Sequence, residues 1–492
     1  MSRITVSSLL VCAALAAGLA LFGTRRHVAR GEFVAAPRPA PVEPAPTPPV
    51  EASFSIVRGR LGFWRIVRTF DGVWWFLSPQ NRTQFLNGVT TVRPMLRGRD
   101  PLGPDYLSTD WDRRDDEGSQ LRWAEATLAR IRQAGFTNLG AWCSPVMHRC
   151  QVPMTRDLNV WRWVPYGARL FSPQWKSGAE AAIREQAFSL RDNHNLIGYY
   201  IDNELDWDDD AVGPRVYFDQ LPDDDPNRLE VLGVIRDIWP TLDAFNRDWR
   251  TTFAQWTQLE RQPKLPMSPS VGYDRLADRW LYHYARQYFQ ITTALIRKYD
   301  PNHLILGCRY RGWAPPQVPR AARSLTDAQS LNYYAADALL DARVFPAIAE
   351  ESGQPLIISE YSFHAPDGRS GNRNRIHFPG EVPTQEARAQ GYRTMTQRLA
   401  RVPFVIGADW FQWMDEPPSG RLIDGEDANM GIVDVHDHPY EALIEAVRRT
   451  TPLLNPLHGG SAAAQNQTVW RDAPANSPDP AAVAGAADLI VK

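Results

Sequence analysis

Short apolar runs alternate with amphipathic helical segments along most of this chain, and this alternation restricts the fold more than any other sequence feature. It extends from about Gln84 to Thr451. Such a pattern is typical of a parallel sheet whose strands are joined by crossover helices. Seven runs have strand character, and in chain order they are residues 85–90, 137–142, 197–202, 304–308, 328–332, 356–359 and 405–410.

A weaker third strand is expected near residues 160–164, which brings the predicted total to eight. Eight strand and helix units within roughly 370 residues predict an α/β fold, the (β/α)8 TIM barrel, over residues 83–456. The long stretch after the fourth strand, between Asp206 and Gly272, is expected to be a helical insertion. Gly135 follows a run with helical spacing and is expected to end that helix.

Residues 53–82, ahead of the barrel, are predicted to form a small N-terminal β segment. Apolar and polar residues alternate there, and Asp71-Gly72 separates FWRIVRTF from VWWFL. An Asp-Gly pair between two alternating runs indicates a β-hairpin. We expect this hairpin to pack on the barrel as a flap or plug.

The two ends of the chain have compositions of other kinds. Residues 1–24 contain an apolar run followed by Arg25 and Arg26, as in a signal peptide or an uncleaved anchor, so a membrane tether through residues 6–23 stays open. Residues 25–52 are rich in proline and predict an extended linker. Residues 457–492 predict a disordered tail. We therefore expect an exported protein, periplasmic or extracellular, with or without a membrane anchor.

Charge and composition exclude one class of partner and suggest another. The formal net charge is -2, which provides no positive field for nucleic acid. The chain holds 18 Trp, whose flat apolar faces can stack on sugar rings as well as fill a core. Cys143 and Cys150 could form a disulfide or remain thiols, and no metal-ligand spacing is present. We expect no cofactor and no metal, and the oligomeric state stays open.

Two glutamates stand where predicted buried strands end. Glu204 lies in LIGYYIDNEL and Glu360 in PLIISEYSF. Side chains at the carboxyl ends of barrel strands meet in a common mouth. Glycoside hydrolysis needs one carboxyl group to protonate the leaving oxygen and another to attack the anomeric carbon or activate water. The pair therefore predicts a glycosidase if both residues reach one cavity.

The order of these blocks resembles that of clan A glycoside hydrolases, which are retaining enzymes on β/α barrels. YIDNELDW, LILGCRYRG, LIISEYSFHA and GADWFQWMDEP are similar in particular to family 50 agarases and family 42 β-galactosidases. The resemblance implies a retaining β-glycosidase whose substrate is a polysaccharide or oligosaccharide, with agarose-like galactan or another β-galactoside as the best single choice.

The resemblance also implies roles for single residues. Glu204 would be the general acid and base, and Glu360 the nucleophile. Four further residues would serve the sugar or the nucleophile: Asn203 would bind the 2-hydroxyl, Tyr333 would orient Glu360, and Trp410 would form the sugar's floor with Gln412 beside it. Arg309 and Trp142 are expected in the wall because of their strand-end positions.

Two alternatives remain open from the sequence. A transglycosylase that remodels an envelope polysaccharide or exopolysaccharide would use the same two acids while excluding water. A catalytically silent barrel would use its aromatic residues only to bind glycan. The presence of both glutamates argues against the second alternative.

Overall fold

A parallel sheet of nine strands organises the part of the chain that can be described. The computed structural model describes residues 53–99, 105–108, 117–267, 270–462 and 469–471. The predicted leader, residues 1–24, and linker, residues 25–52, lie outside these ranges, as does most of the predicted tail. The described part of that tail contradicts the prediction of disorder, because a helix continues to Gly459 and Trp470–Arg471 pairs with Leu340–Asp341. Among the described residues, no helix is both long and apolar enough to cross a membrane.

The strands are numbered here in chain order. They are β1 (Ile56–Arg58), β2 (Arg65–Arg68), β3 (Trp74–Leu77), β4 (Thr83–Gln84), β5 (Leu86–Val89), β6 (Met95–Leu96), β7 (Tyr106–Leu107), β8 (Asn138–Leu139), β9 (Met154–Asp157), β10 (Leu196–Tyr200), β11 (Leu304–Ile305), β12 (Arg309–Arg311), β13 (Gln329–Asn332), β14 (Leu340–Asp341), β15 (Leu356–Tyr361), β16 (Val405–Trp410) and β17 (Trp470–Arg471).

Helices lie between the strands of the parallel sheet. Those in the described residues are α1 (Glu117–Ala134), α2 (Pro173–Ala187), α3 (Asp209–Val212), α4 (Pro226–Ile238), α5 (Leu242–Trp249), α6 (Trp256–Glu260), α7 (Ser270–Tyr299), α8 (Gln317–Ala322), α9 (Val344–Ser352), α10 (Gln385–Ala400) and α11 (Glu441–Gly459). Helices α3 to α6 confirm that the stretch between Asp206 and Gly272 is a helical insertion.

The sequence signals for helix ends hold where they can be checked. Ser172 caps α2, because its side chain accepts a hydrogen bond from the backbone N–H of Trp175, and Pro173 occupies the first helical turn. Gly135 follows α1 with φ of 104°, a conformation that favours glycine. Its N–H donates to the Ile131 carbonyl, so the predicted glycine at the helix end is confirmed.

The strands of the parallel sheet are ordered β11-β10-β9-β8-β5-β16-β15-β13-β12, and every neighbouring pair is parallel. Strands β5, β10, β13, β15 and β16 are buried along their whole length. Burial on both faces explains why β10, β15 and β16 are mostly apolar in sequence, whereas β5 (LNGV) and β13 (QSLN) are buried although they are partly polar. The mixed α/β fold with a parallel sheet is therefore as predicted.

One predicted strand was misplaced. The third strand is β9, whereas Val160–Arg162 forms a single 3₁₀ turn. The apolar character of residues 160–164 was misleading because Trp161 and Trp163 are each 49% exposed instead of packing in the core. Conversely, Thr155 and Arg156 gave β9 a polar appearance that hid it.

The first and last strands of the sheet belong to one stretch of chain, Leu304 to Arg311. Backbone hydrogen bonds join this stretch to the β10 side, from Leu306 N to Tyr199 O at 2.8 Å and from Arg309 N to Asp202 O at 3.1 Å. On its other side, β12 pairs with β13. The same stretch is thus bonded to strands on both of its flanks.

The N-terminal β segment forms a four-stranded antiparallel sheet of β1 to β4. Strands β2 and β3 confirm the predicted hairpin, and Gly72 in its turn has φ of 98°. Side chains of this sheet form one apolar cluster with residues at the beginnings of the parallel strands; the cluster includes Trp64, Ile66, Trp74, Phe76, Leu86, Ile197, Leu304, Ile357 and Ile406. This sheet therefore covers the edge opposite the strand ends that carry the glutamates.

Candidate active site

Both glutamates lie at the carboxyl edge of the parallel sheet. Glu360 is the fifth residue of β15, and Glu204 follows β10 by four residues. The backbone N–H of Glu204 donates to the Arg309 carbonyl, and β12, which begins at Arg309, pairs with β13, which ends at Asn332. Arg309 and Asn332 therefore lie between the two acids. The sheet therefore brings together residues that are 156 positions apart in the chain.

The Glu360 carboxylate is held by three donors. Trp142 Nε1 donates to Oε1 at 2.9 Å, and the Tyr334 hydroxyl donates to Oε2 at 3.0 Å. Arg309 forms an ion pair with Oε1 through Nη2. The residue is only 6% exposed. A carboxylate that accepts charge-assisted and neutral hydrogen bonds on both oxygens is fixed in one orientation.

Arg309 lies beneath the site and not in its wall. Its side chain is fully buried, and its guanidinium stacks between the rings of Trp142, at 5.2 Å, and Tyr200, at 5.5 Å. Nη2 also donates to the Ser359 carbonyl at 3.2 Å. The predicted wall residue is therefore a buried counter-charge for Glu360, since a planar guanidinium can pair with a carboxylate and stack on aromatic rings together.

Glu204 is half-buried and is positioned by Asn332. Asn332 Nδ2 donates to Glu204 Oε1 at 2.8 Å and to Asn203 Oδ1 at 3.1 Å. The Asn332 amide is itself fixed by the Ser359 hydroxyl, which donates to its Oδ1 at 2.8 Å. Because the backbone of Asn332 pairs with that of Glu360, one asparagine connects the two acids.

The environments of the two acids give Glu204 a high proton affinity. Burial raises the pKa of Glu204 above its ordinary value, and the negative charge of Glu360 raises it further. The Asn332 hydrogen bond and the charges of Arg309 and Arg311 oppose these effects. On balance the pKa of Glu204 is raised, which is the direction that a role as general acid would require.

Four adjacent strands are each followed by a residue with a left-handed backbone conformation, at the point where the chain turns into the mouth. Thr91 after β5, Trp142 after β8, Asn159 after β9 and Glu204 after β10 have φ of 56°, 66°, 48° and 51°. Such residues are uncommon outside glycine and concentrate at functional sites. The reversed backbone redirects each strand just after its buried part, where the site lies.

Tyr333 does not contact Glu360, and the prediction for it was wrong. Its hydroxyl donates to the Leu339 carbonyl at 2.8 Å, and its ring packs on Phe345. The next residue, Tyr334, makes the hydrogen bond to Glu360 instead. Because neighbouring side chains point to opposite faces of an extended backbone, only one of two adjacent tyrosines can face the site, and the sequence did not show which.

Trp410 also was assigned wrongly, since it is part of the core. It is fully buried between the rings of Tyr361 and Tyr392, and its Nε1 donates to the Met430 carbonyl at 2.9 Å. The following residue, Phe411, clusters with Trp142 and Phe378 instead. The aromatic residue of the run 410–413 that packs with Trp142 on the site side is therefore Phe411.

The other predicted residues have varied positions. Asn203 is half-buried next to Glu204, and its side-chain oxygen Oδ1 accepts a hydrogen bond from Asn332 Nδ2. Gln412 is 2% exposed, and its Nε2 has no hydrogen-bond partner among the described residues. Trp142 is placed by its backbone as well as by its ring, because its N–H donates to Asp157 Oδ1 at 2.8 Å.

Two buried aspartates support the site, and the sequence analysis missed them. Asp202 accepts hydrogen bonds from the Tyr288 hydroxyl at 2.6 Å and from the backbone of Trp161 at 3.0 Å. Burial raises its pKa to about 7. Asp409 accepts from Asn138 Nδ2 at 2.9 Å, and burial raises its pKa to about 7 as well. Both aspartates could have been recognised in the sequence, because they lie at strand ends as the two glutamates do.

No metal cluster of three or more His, Cys, Asp or Glu is found within the described ranges. Asp437, in the His-Asp-His stretch, is bound by Arg130 and Ser108. Cys143 and Cys150 are free thiols, which settles the question that their spacing left open.

Comparisons with known proteins point in one direction. No family model matches the chain. It is 26% identical to β-agarase B of Vibrio sp. (strain JT0107) over 348 residues, and 28% identical to β-agarase A of the same organism over 361 residues. Each match covers 66% of this chain. The chain spans little more than a third of each curated relative, 36% and 35% of their lengths.

Solved agarase structures share the fold. An exo-β-agarase superposes with a TM-score of 0.67 at 22% identity, over 82% of this chain and 66% of that one. The agarase AgWH50C superposes with a TM-score of 0.68 at 22% identity, over 83% and 69%. The chain is therefore agarase-like in sequence and in fold.

Proposed function

We propose that this agarase-like chain is a glycoside hydrolase that cleaves a β-linked, agarose-like galactan by double displacement. The observation that carries the proposal is the pairing of Glu204 and Glu360 across Asn332 at the carboxyl edge of the sheet. The sequence similarity to β-agarases over two thirds of the chain supports the choice of a galactan.

The scaffold proposed for this chemistry is a closed (β/α)8 barrel. If β11 and β12 are counted as one strand, the parallel sheet has eight members, which are β5, β8, β9, β10, the stretch from Leu304 to Arg311, β13, β15 and β16. The bonds of that stretch to β10 and to β13 support closure. In such a barrel every strand end faces the same mouth, which is where the two glutamates and Trp142 lie.

In the first half-reaction, a Glu360 carboxylate oxygen attacks C1 of the sugar while the bond from C1 to the leaving oxygen breaks. Glu204 transfers its proton to that oxygen, so the leaving chain departs as an alcohol. Arg309, Trp142 and Tyr334 hold Glu360 for attack. The product is a glycosyl ester on Glu360.

In the second half-reaction, water attacks C1 of the ester, and the bond between C1 and the Glu360 oxygen breaks to release the carboxylate. Once Glu360 is esterified its negative charge is gone, and the pKa of Glu204 falls because that charge had raised it. Glu204 can then take the proton from water and act as base. Two displacements at C1 retain its configuration. Asn203, beside Glu204, is proposed to bind the 2-hydroxyl of the sugar.

We further propose export to the periplasm or the cell exterior, with residues 1–24 as a signal peptide or anchor and residues 25–52 as a linker. The apolar run and the proline-rich segment of the sequence support this proposal. We also propose three domain limits: residues 53–82 for the N-terminal β segment, 83–456 for the barrel and 457–492 for the tail.

The test is product analysis of the purified chain on agarose and on a panel of β-linked glycans. Reducing ends that appear from galactan, and disappear in Glu360→Gln, support the proposal. A second reaction with an added sugar acceptor identifies a transglycosylase, because products longer than the substrate then accumulate. Binding without turnover across the whole panel would contradict hydrolysis and favour a glycan-binding barrel.

A further inference from the structure

One wall of the mouth carries three arginines, two of which form no ion pair with a carboxylate among the described residues. Arg93 follows β5, Arg162 follows β9, and Arg421 follows β16. Strands β9, β8, β5 and β16 are consecutive in the sheet, so the loops that follow them lie side by side. We call Arg93, Arg162 and Arg421, together with Trp142 after β8, the basic wall.

Arg93 connects the basic wall to the nucleophile. Its Nε donates to the backbone carbonyl of Trp142 at 2.8 Å, and the indole of Trp142 donates to Glu360. Within the described residues, neither terminal nitrogen of Arg93 has a hydrogen-bond or ion-pair partner. Arg93 is exposed to solvent, and the groups close enough to interact with its charge are Asp157, Cys143, Arg421 and Arg162.

Arg162 is the second arginine of the basic wall that forms no ion pair among the described residues. Its guanidinium lies 5.5 Å from the ring of Trp161 and has no carboxylate partner in the described part of the chain. The loop that carries it is fixed to the site, because the Trp161 N–H donates to Asp202, two residues before Glu204. Trp161 and Trp163 on either side are each 49% exposed, which offers flat apolar faces next to a cation.

Two other arginines at the same mouth, Arg311 and Arg421, do form ion pairs, in contrast to Arg93 and Arg162. Arg311 forms an ion pair with Asp206 at 2.9 Å. Arg421 is bound by Glu416, Asp424 and Glu426, so its charge is balanced by its own loop. Arg93 and Arg162 are both exposed to solvent, so their charges are available to an anion bound at the mouth.

We infer that the galactan bound by this chain carries an anionic substituent, a sulfate ester or a carboxylate, which Arg93 and Arg162 hold on the nucleophile side of the mouth. The inference rests on the proposed function for the galactan backbone. The chemistry fits because the planar guanidinium donates two parallel hydrogen bonds to either group. A neutral galactan would leave both arginines facing water.

The experiment compares kcat/KM and Kd for three galactan oligosaccharides of equal length: one neutral, one sulfated and one carboxylated. We expect the wild type to prefer one anionic oligosaccharide over the neutral one by about tenfold or more, the effect of one charge-assisted contact. Arg93→Gln and Arg162→Gln should each reduce that ratio, and Arg93→Lys should retain part of it. The preference should fall as salt screens the contact.

Arg82→Gln is the matched control, because Arg82 is an exposed arginine without a side-chain partner among the described residues and lies in the N-terminal β segment. It should leave the ratio unchanged. Equal kcat/KM on neutral and anionic oligosaccharides, or equal losses on all three in the arginine variants, would overturn the inference while leaving hydrolysis intact. If no galactan is cleaved the proposed function fails, and the Kd ratios alone then decide the inference.

Discussion

The hydroxyl of Tyr334 donates a 3.0 Å hydrogen bond to Oε2 of Glu360. Its neighbour in the chain points away, since the Tyr333 hydroxyl is bound to the Leu339 carbonyl. Two adjacent tyrosines thus have different surroundings, and they make a matched pair for testing which contacts serve the nucleophile.

Tyr334→Phe should lower kcat by about tenfold to a hundredfold, the effect of removing one hydrogen bond to a reacting carboxylate. Tyr333→Phe should leave kcat and KM within about twofold and cost about 1 kcal/mol of unfolding free energy, because its lost bond is structural. Steady-state kinetics and urea unfolding of both variants check this. A larger loss of kcat in Tyr333→Phe than in Tyr334→Phe would show that the pair has been assigned the wrong way round.

The two tryptophans Trp142 and Trp410 allow a similar comparison. Trp142→Phe removes the 2.9 Å hydrogen bond to Glu360 but keeps an aromatic ring over Arg309, so kcat should fall about tenfold with little change in stability. Trp410→Phe loses core volume and the bond to the Met430 carbonyl, at a cost of about 1–3 kcal/mol. Activity of its folded fraction should be nearly that of the wild type. Thermal unfolding and kcat measured on the same samples separate the two effects.

Arg311 tests the proton affinity of Glu204. Its positive charge lowers the pKa of Glu204, so Arg311→Gln should raise that pKa. In the proposed mechanism, protonated Glu204 is the active form for leaving-group departure, and activity should be lost as pH rises through its pKa. The basic limb of the kcat/KM profile should therefore move to higher pH in Arg311→Gln, and the shift should shrink at high salt. Movement to lower pH, or movement of the acidic limb alone, would exclude Glu204 as the acid.

Much of the fold was accessible from the sequence, because buried parallel strands leave continuous apolar runs. Strands β10, β15 and β16 could be predicted for this reason. Strand β9 did not, since Thr155 and Arg156 interrupt its apolar pattern, and the exposed Trp161 and Trp163 imitated a strand nearby. Hydrophobicity marks a strand only where burial and apolar composition coincide.

The site was accessible in part for a related reason. A strand-end carboxylate can be recognised from position, and this located Glu204 and Glu360. The direction of a single side chain depends on where a strand ends and how its backbone turns. An error of one residue in the strand end therefore places the side chain on the opposite face. That is why Tyr333 was named in place of Tyr334, and Trp410 in place of Phe411. Asn332 connects the two acids. In the sequence it could be recognised only as an asparagine at a strand end, as Asn203 is.

The central claim is that Glu360 forms a covalent bond with the sugar, while Glu204 first donates a proton to the leaving oxygen and then accepts one from water. Its most direct test is mass spectrometry of Glu204→Gln after mixing with an activated aryl β-glycoside of the accepted sugar. A good leaving group needs no acid, whereas the second step lacks its base, so the ester should accumulate. The account predicts one glycosyl unit on the peptide that contains Glu360, and a product of retained configuration. A glycosyl unit on any other residue, or a product of inverted configuration, would contradict it.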